Sequence, residues 1–154
     1  MPSWGAVAQQ VPELLSRAEV FLTAGRHKTL ATLRRDGAPR ISGTEVELRD
    51  GQLWLGCMER SVKALDLRRD PRFALHSASV DPPAWTGDAK VAGRAEEVLD
   101  PALVEAVNGP DQARSHLFRL DISELVVVRM GEPADHLVVE SWHEGRGLTR
   151  RERR

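Results

Sequence analysis

At 154 residues and 41% apolar content, the chain is sized for one domain around one buried core. Its 22 basic and 23 acidic residues nearly cancel, leaving −1, so no global field draws it to nucleic acid or to an anionic membrane. The single cysteine, Cys57, excludes an internal disulfide and a cysteine-based zinc site. Neither a signal peptide nor a run of about 18 apolar residues occurs, so the cytoplasm is the expected location.

From Val11 to Gly25, Leu14, Leu15, Ala18, Phe21 and Leu22 recur at helical spacing, with Pro12 early and Gly25 at the capping end. The spacing predicts an amphipathic entry helix. Lys28–Arg35, Pro39–Arg49 and Gln52–Cys57 then read as strands joined by Asp36-Gly37 and Asp50-Gly51, a three-strand antiparallel meander. Ser61–Arg69 reads as a short helix with Leu65 facing inward, stopped by Asp70-Pro71, and Arg72–Val80 resumes as a strand. Asp81–Asp88, with Pro82-Pro83, is a loop.

Ala89–Leu99, Phe118–Met130 and Leu137–Trp142 are further strands, with helical pieces at Pro101–Val107 and Gln112–His116. Strands in meander order with few short helices predict a mainly β domain, a small antiparallel barrel over residues 1–143. The Gly- and Arg-rich segment 144–154 is expected to be a basic tail with no fixed structure.

Three places in this pattern could carry chemistry. Arg60-Ser61-Val62-Lys63 opens the short helix with positive charge, which opposes the helix dipole by about 0.3–1 kcal/mol per charge. An anion there reverses that sign, and first-turn amides, the Ser61 hydroxyl and the Lys63 ammonium would together cradle a phosphate. The alternative is that Arg60 and Lys63 are simply solvated. Arg40-Ile41-Ser42-Gly43 interrupts a good strand, marking either a β-bulge or a close approach by a ligand. Trp142 followed by Gly145-Arg146-Gly147, and Trp85 in the Pro-rich loop, would lay an aromatic face over a planar ligand or else close one end of the core.

Other chemistries lack an anchor. The five histidines include no pair three or four apart, and neither a Gly-x-Ser-x-Gly elbow nor a Walker loop occurs. Cys57 has no nearby histidine and reads as a small buried residue. The paired arginines at 34–35 and 68–69 are flanked by acids or turns and read as solvated faces, not a nucleic-acid surface.

Thr29-Leu30-Ala31-Thr32-Leu33, Asp36-Gly37-x-Pro39-Arg40-Ile41-Ser42, Leu53-Trp54-Leu55-Gly56 and Ser61-x-Lys63-Ala64-x-x-Leu67-Arg68-Arg69-Asp70-Pro71-Arg72-Phe73 occur in linked order. In this the chain resembles the pyridoxamine 5′-phosphate oxidase-like, FMN-binding split β-barrel proteins. The resemblance implies a six-stranded split barrel and a homodimer with its cofactor at the subunit interface. The cofactor is FMN or, in some members, the deazaflavin coenzyme F-420. It further implies that Lys63, with Arg60, Ser61 and Val62, binds the phosphate. Arg40, Ile41, Ser42 and Gly43 line the ring edge, and Gly56, Cys57 and Met58 form the strand end before the phosphate helix. Trp85, Trp142 and Arg146 are expected from the other subunit.

The implied activity is hydride transfer through flavin N5 with a small organic substrate, the alternatives being a deazaflavin-dependent reductase and a flavin- or haem-binding protein without turnover. The Arg-Leu-x-Pro type of ending that grips the substrate phosphate in the vitamin oxidases does not occur, so pyridoxamine 5′-phosphate is not the expected substrate. Dimerisation is expected to cover apolar surface near Trp54, Leu55 and Val126–Val128.

Overall fold

A computed structural model describes all 154 residues. Two helices, α1 (Trp4–Gln10) and α2 (Pro12–Ala24), precede strands β1 (Lys28–Leu33), β2 (Pro39–Thr44), β3 (Val46–Arg49) and β4 (Gln52–Cys57). Helix α3 (Val62–Arg69), β5 (Arg72–His76), β6 (Gly87–Val98), α4 (Pro101–Asn108), β7 (His116–Met130), β8 (Leu137–His143) and β9 (Gly147–Arg153) follow. None of the helices is long and apolar enough to cross a membrane.

The expected meander is instead two separate hairpins. Strands β1 and β2 pair, as do β3 and β4, but β2 and β3 lie at opposite ends of the sheet path β2-β1-β5-β6-β7-β4-β3. Only Glu45 separates them in the chain, so one bent strand serves both ends of the path and closes it into a barrel. Counting β2 and β3 as that one strand, the barrel has six. The Asp50-Gly51 turn forms as its composition demands: both residues have positive φ, 53° and 70°, the two-residue hairpin geometry that follows the natural strand twist.

The longest ladder is β6 with β7, and its register shifts between Ala92 and Gly93, leaving Ser123 as the extra residue. The bulge divides β7 into two halves. Leu117–Leu120 pair with β4 inside the barrel, whereas Glu124–Met130 pair with β8, which leaves the barrel edge. Gly93 is required at this point because a Cβ there would overlap the Asp121 carbonyl oxygen.

Helices α1 and α2 lay Trp4, Val7, Leu14, Leu15, Ala18 and Leu22 into the same core as Leu30, Leu55, Phe118, Ile122 and Trp142. α1 lies outside the predicted helix and begins at an N-cap in which Ser3 Oγ accepts from the Ala6 N–H at 3.2 Å. Glu140 of β8, buried, accepts from Arg17 of α2 at 3.2 Å and from Arg129 of β7 at 3.0 Å, tying helix to sheet.

Three further expectations are corrected. Segment 144–154 is no loose tail, since β9 pairs with β8 from His143↔Gly147 to Leu137↔Arg153. Residues Gln112–His116 form a turn and the first position of β7 rather than a helix. Leu65 is 46% exposed, and the inward positions of α3 are Ala64, Asp66 and Leu67.

Candidate phosphate and cofactor site

Helix α3 is locked to the barrel by a carboxylate. Asp66, 2% exposed, accepts at Oδ2 from Thr32 Oγ1 of β1 (2.8 Å) and Arg40 Nε of β2 (2.7 Å), and at Oδ1 from Arg69 (3.0 Å). Burial alone would raise its pKa, but the hydrogen bonds from Arg40, Thr32 and Arg69 outweigh that and hold it below the usual carboxylate range. This bond turns Arg40 toward α3. Strand alternation then puts Ser42 and Thr44 on the same side of β2, with Ile41 and Gly43 on the other.

The start of α3 meets β2 through Lys63, whose Nζ donates to the Gly43 carbonyl at 2.9 Å and keeps two further donors. Ser61 stands at the N-cap of α3 but makes no capping bond; its hydroxyl is buried beside the Cys57 thiol, with no oxygen or nitrogen partner. The Ser42 hydroxyl is likewise buried and unpartnered. Arg60, in the left-handed region at φ 60°, precedes them, exposed. Arg40 of β2 and Arg69 in the last turn of α3 share the single carboxylate of Asp66, and Arg68, also in the last turn, pairs with Glu97, whereas Arg60 and Lys63 at the start of the helix have no ion pair. The charge that remains sits at the anion-attracting end of the helix.

The structure distributes the other expected site residues unevenly. Met58 and Val62, flanking Arg60 and Ser61 in the chain, and Ile41, on the face of β2 opposite Ser42, are exposed apolar side chains, Met58 and Ile41 at 81% and 74% exposure. Cys57 is buried beneath it, and burial raises its thiol pKa while the Lys63 charge and the neighbouring Ser61 hydroxyl pull the other way. Gly56 serves packing: the space where its Cβ would stand is filled by the Asn108 amide of α4. Trp85 is half-buried and donates from Nε1 to Asp88 at 3.3 Å within its own loop.

Trp142 is 2% exposed in the core, so its indole is not available to cover a ligand, and Arg146 is exposed in the β8–β9 turn. Trp54 and Leu55, expected on an apolar outer surface, are buried within the chain, Trp54 against Val104 and Leu117. Sequence reasoning missed Asp66 and His116. Asp66 has no local signal, because only the barrel brings Thr32 and Arg40 to it.

A barrel closed by a bent strand and split along β7, with a basic helix start at its rim, defines a split β-barrel protein. A family profile described as Pyridoxamine 5′-phosphate oxidase matches residues 15–129, most of the chain, and the protein belongs to that family. Among curated proteins none matches.

Solved structures share the fold. A conserved hypothetical protein of Mycobacterium tuberculosis is 27% identical, with 68% of this chain and 78% of that one covered and a TM-score of 0.57. A pyridoxamine 5′-phosphate oxidase-related, FMN-binding protein of Nostoc punctiforme is 16% identical over 94% and 95% of the two chains, with a TM-score of 0.63. An F420 reductase is 22% identical over 70% and 94%, with a TM-score of 0.54.

Proposed function

We propose that the protein binds FMN by its phosphate at the start of α3 and is an oxidoreductase that passes a hydride between the flavin and a small organic substrate. The observation that carries the reading is the pair of buried hydroxyls without an oxygen or nitrogen partner, Ser42 and Ser61, together with a lysine that has no ion pair at a helix N-terminus. A buried polar group left unsatisfied costs about 1–3 kcal/mol. A phosphate, rich in acceptor oxygens, would satisfy both hydroxyls and the free donors of Lys63 at once.

The residues present therefore fit the phosphate end of the cofactor. The flavin, when bound, supplies the hydride chemistry at N5. This chain's own residues bind and orient. Ser61, Lys63 and the first-turn amides take the phosphate, while β2, which pairs only with β1, offers the backbone groups of its free edge between Arg40 and Gly43 to the ring. The exposed apolar side chains of Ile41, Met58, Val62 and Leu65 favour a homodimer in which a second copy covers the cofactor. Arg146 and Trp85 are the candidates to reach across.

A deazaflavin reductase is the second reading, favoured by the F420 reductase among the structural relatives and by a cradle that would hold either cofactor's phosphate. Absorbance and mass of whatever co-purifies, followed by fluorescence titration with both cofactors, separate the two. A Soret band would point instead to a haem protein. Light scattering is expected to give about twice the 17.1 kDa chain mass. A monomer at micromolar concentration with cofactor bound would refute the interfacial site.

A further inference from the structure

The cradle rests on a buried histidine that takes no part in the reading above. His116, first residue of β7, sits opposite Cys57 of β4 and is 8% exposed. Its Nε2 lies 3.0 Å from the Arg60 backbone nitrogen, and because an amide N–H only donates, Nε2 is the acceptor. Its Nδ1 lies 3.0 Å from Glu97 Oε1, and Arg68 grips the same carboxylate with bonds of 2.6 and 2.8 Å. The Arg68 guanidinium holds the Glu97 carboxyl below its usual range, so Glu97 is ionised and accepts the proton of Nδ1. The partners on both sides thus select one tautomer of the neutral ring.

The bond to Arg60 matters because Arg60 occupies the left-handed region, φ 60°, which a side chain other than glycine rarely adopts. That conformation persists only where surrounding contacts enforce it. Here the enforcing contacts are the His116 acceptor and the turn in which Ser61 N–H donates to the Met58 carbonyl at 3.0 Å. Arg60 is the residue immediately before the Ser61 N-cap, so its backbone sets the direction in which the Ser61 hydroxyl and the first amides of α3 point.

We propose that His116 is a positioning residue of the phosphate cradle, a neutral acceptor that clamps the Arg60 amide so that the cradle holds its shape only while the ring is uncharged. Protonation puts a hydrogen on Nε2, which then faces the Arg60 N–H donor to donor. The clamp opens and phosphate affinity falls. The charged and titratable groups around the ring are Glu97 of β6, Arg68 of α3, Arg60 of the preceding loop and the Cys57 thiol of β4; Asn108 of α4, uncharged, donates to the His116 carbonyl at 3.0 Å. The inference rests on the phosphate reading of α3, and it assigns that site a pH dependence beyond the phosphate's own titration.

FMN titrations of the full chain from pH 8 to pH 5.5, on wild type, His116→Gln and His116→Leu, test it. The glutamine amide oxygen replaces Nε2 as an acceptor that does not titrate. His116→Gln is expected to bind close to wild type at pH 8 and to follow only the ligand's own titration as pH falls. Wild type is expected to lose about tenfold more, roughly the contribution of one hydrogen bond. His116→Leu is expected to bind weakly throughout. Superimposable wild-type and His116→Gln profiles, or wild-type affinity in His116→Leu, would overturn the assignment.

Amide exchange of Arg60 in the ligand-free wild type, followed by NMR, tests the clamp by itself. Protection at pH 8 that is lost toward pH 5.5 supports the clamp, and unprotected exchange at pH 8 refutes it even if a leucine variant fails to fold. Absence of FMN binding by wild type at every pH would sink the phosphate reading and its affinity consequence, an outcome distinguishable from failure of the clamp.

Discussion

Replacing Asp66 by alanine should destabilise the protein strongly. The carboxylate is 2% exposed and takes hydrogen bonds from Thr32, Arg40 and Arg69. Removing one partner of a fully buried ion pair costs about 3–5 kcal/mol, chiefly because the other charge stays buried and unpaired. Arg40 and Arg69 keep 25% and 31% of their side-chain surface, so water recovers part of that loss, and we expect about 2–3 kcal/mol. For a chain of this length that corresponds to a Tm lower by roughly 5–10 °C.

The effect has a defined pH dependence. Asp66 titrates lower in the folded protein than in the unfolded chain, so its stabilisation is complete above the unfolded value, about 3.9, and is lost as pH falls through the folded one. Urea unfolding of wild type and variant at pH 7 and pH 3, at fixed protein concentration, measures both. A difference below about 0.5 kcal/mol at pH 7, or one that does not shrink at pH 3, would refute the assignment of Asp66 as the anchor of α3.

Lys63→Ala should weaken FMN binding by about 1.5–3 kcal/mol, the range for a hydrogen bond to a charged group, with Tm nearly unchanged; fluorescence titration checks it. Gly93→Ala should cost about 3 kcal/mol or more, because the added methyl meets the Asp121 backbone carbonyl and not a yielding side chain, and chemical unfolding reads this directly. Pyridoxamine 5′-phosphate should turn over below about 0.1 per second, against a median near 10 per second for enzymes, measured as peroxide release. The ground is topological: Arg150, Arg151 and Arg153 lie on β9, which pairs only with β8, off the sheet path that carries β2 and β4 on either side of α3.

Because β9 is ordered, its arginines carry no entropic cost of being fixed before they bind anything. They are already held by seven register pairs from Leu137↔Arg153 to His143↔Gly147. No alternation announces this strand, since nearly every residue from Gly147 to Arg153 is exposed. Its order comes from the partner edge that β8 offers.

What was legible from sequence has local causes. Asp50-Gly51 makes its turn because positive φ at two successive positions suits few other pairs, and the start of α3 is marked by Ser61 before a helical run that Asp70-Pro71 ends. Alternating apolar residues placed most of the strands, because that pattern depends on neighbours within a few positions. Tertiary structure alone decided the break at Glu45 that closes the barrel, the burial of Trp142 in the core and the inward turn of Asp66 where apolar patterning pointed to Leu65. It also brought His116 beneath Arg60, 56 residues away in sequence. A buried charge or imidazole is stable only when distant strands deliver its partners, and pairing of that range leaves no period in the sequence to be read.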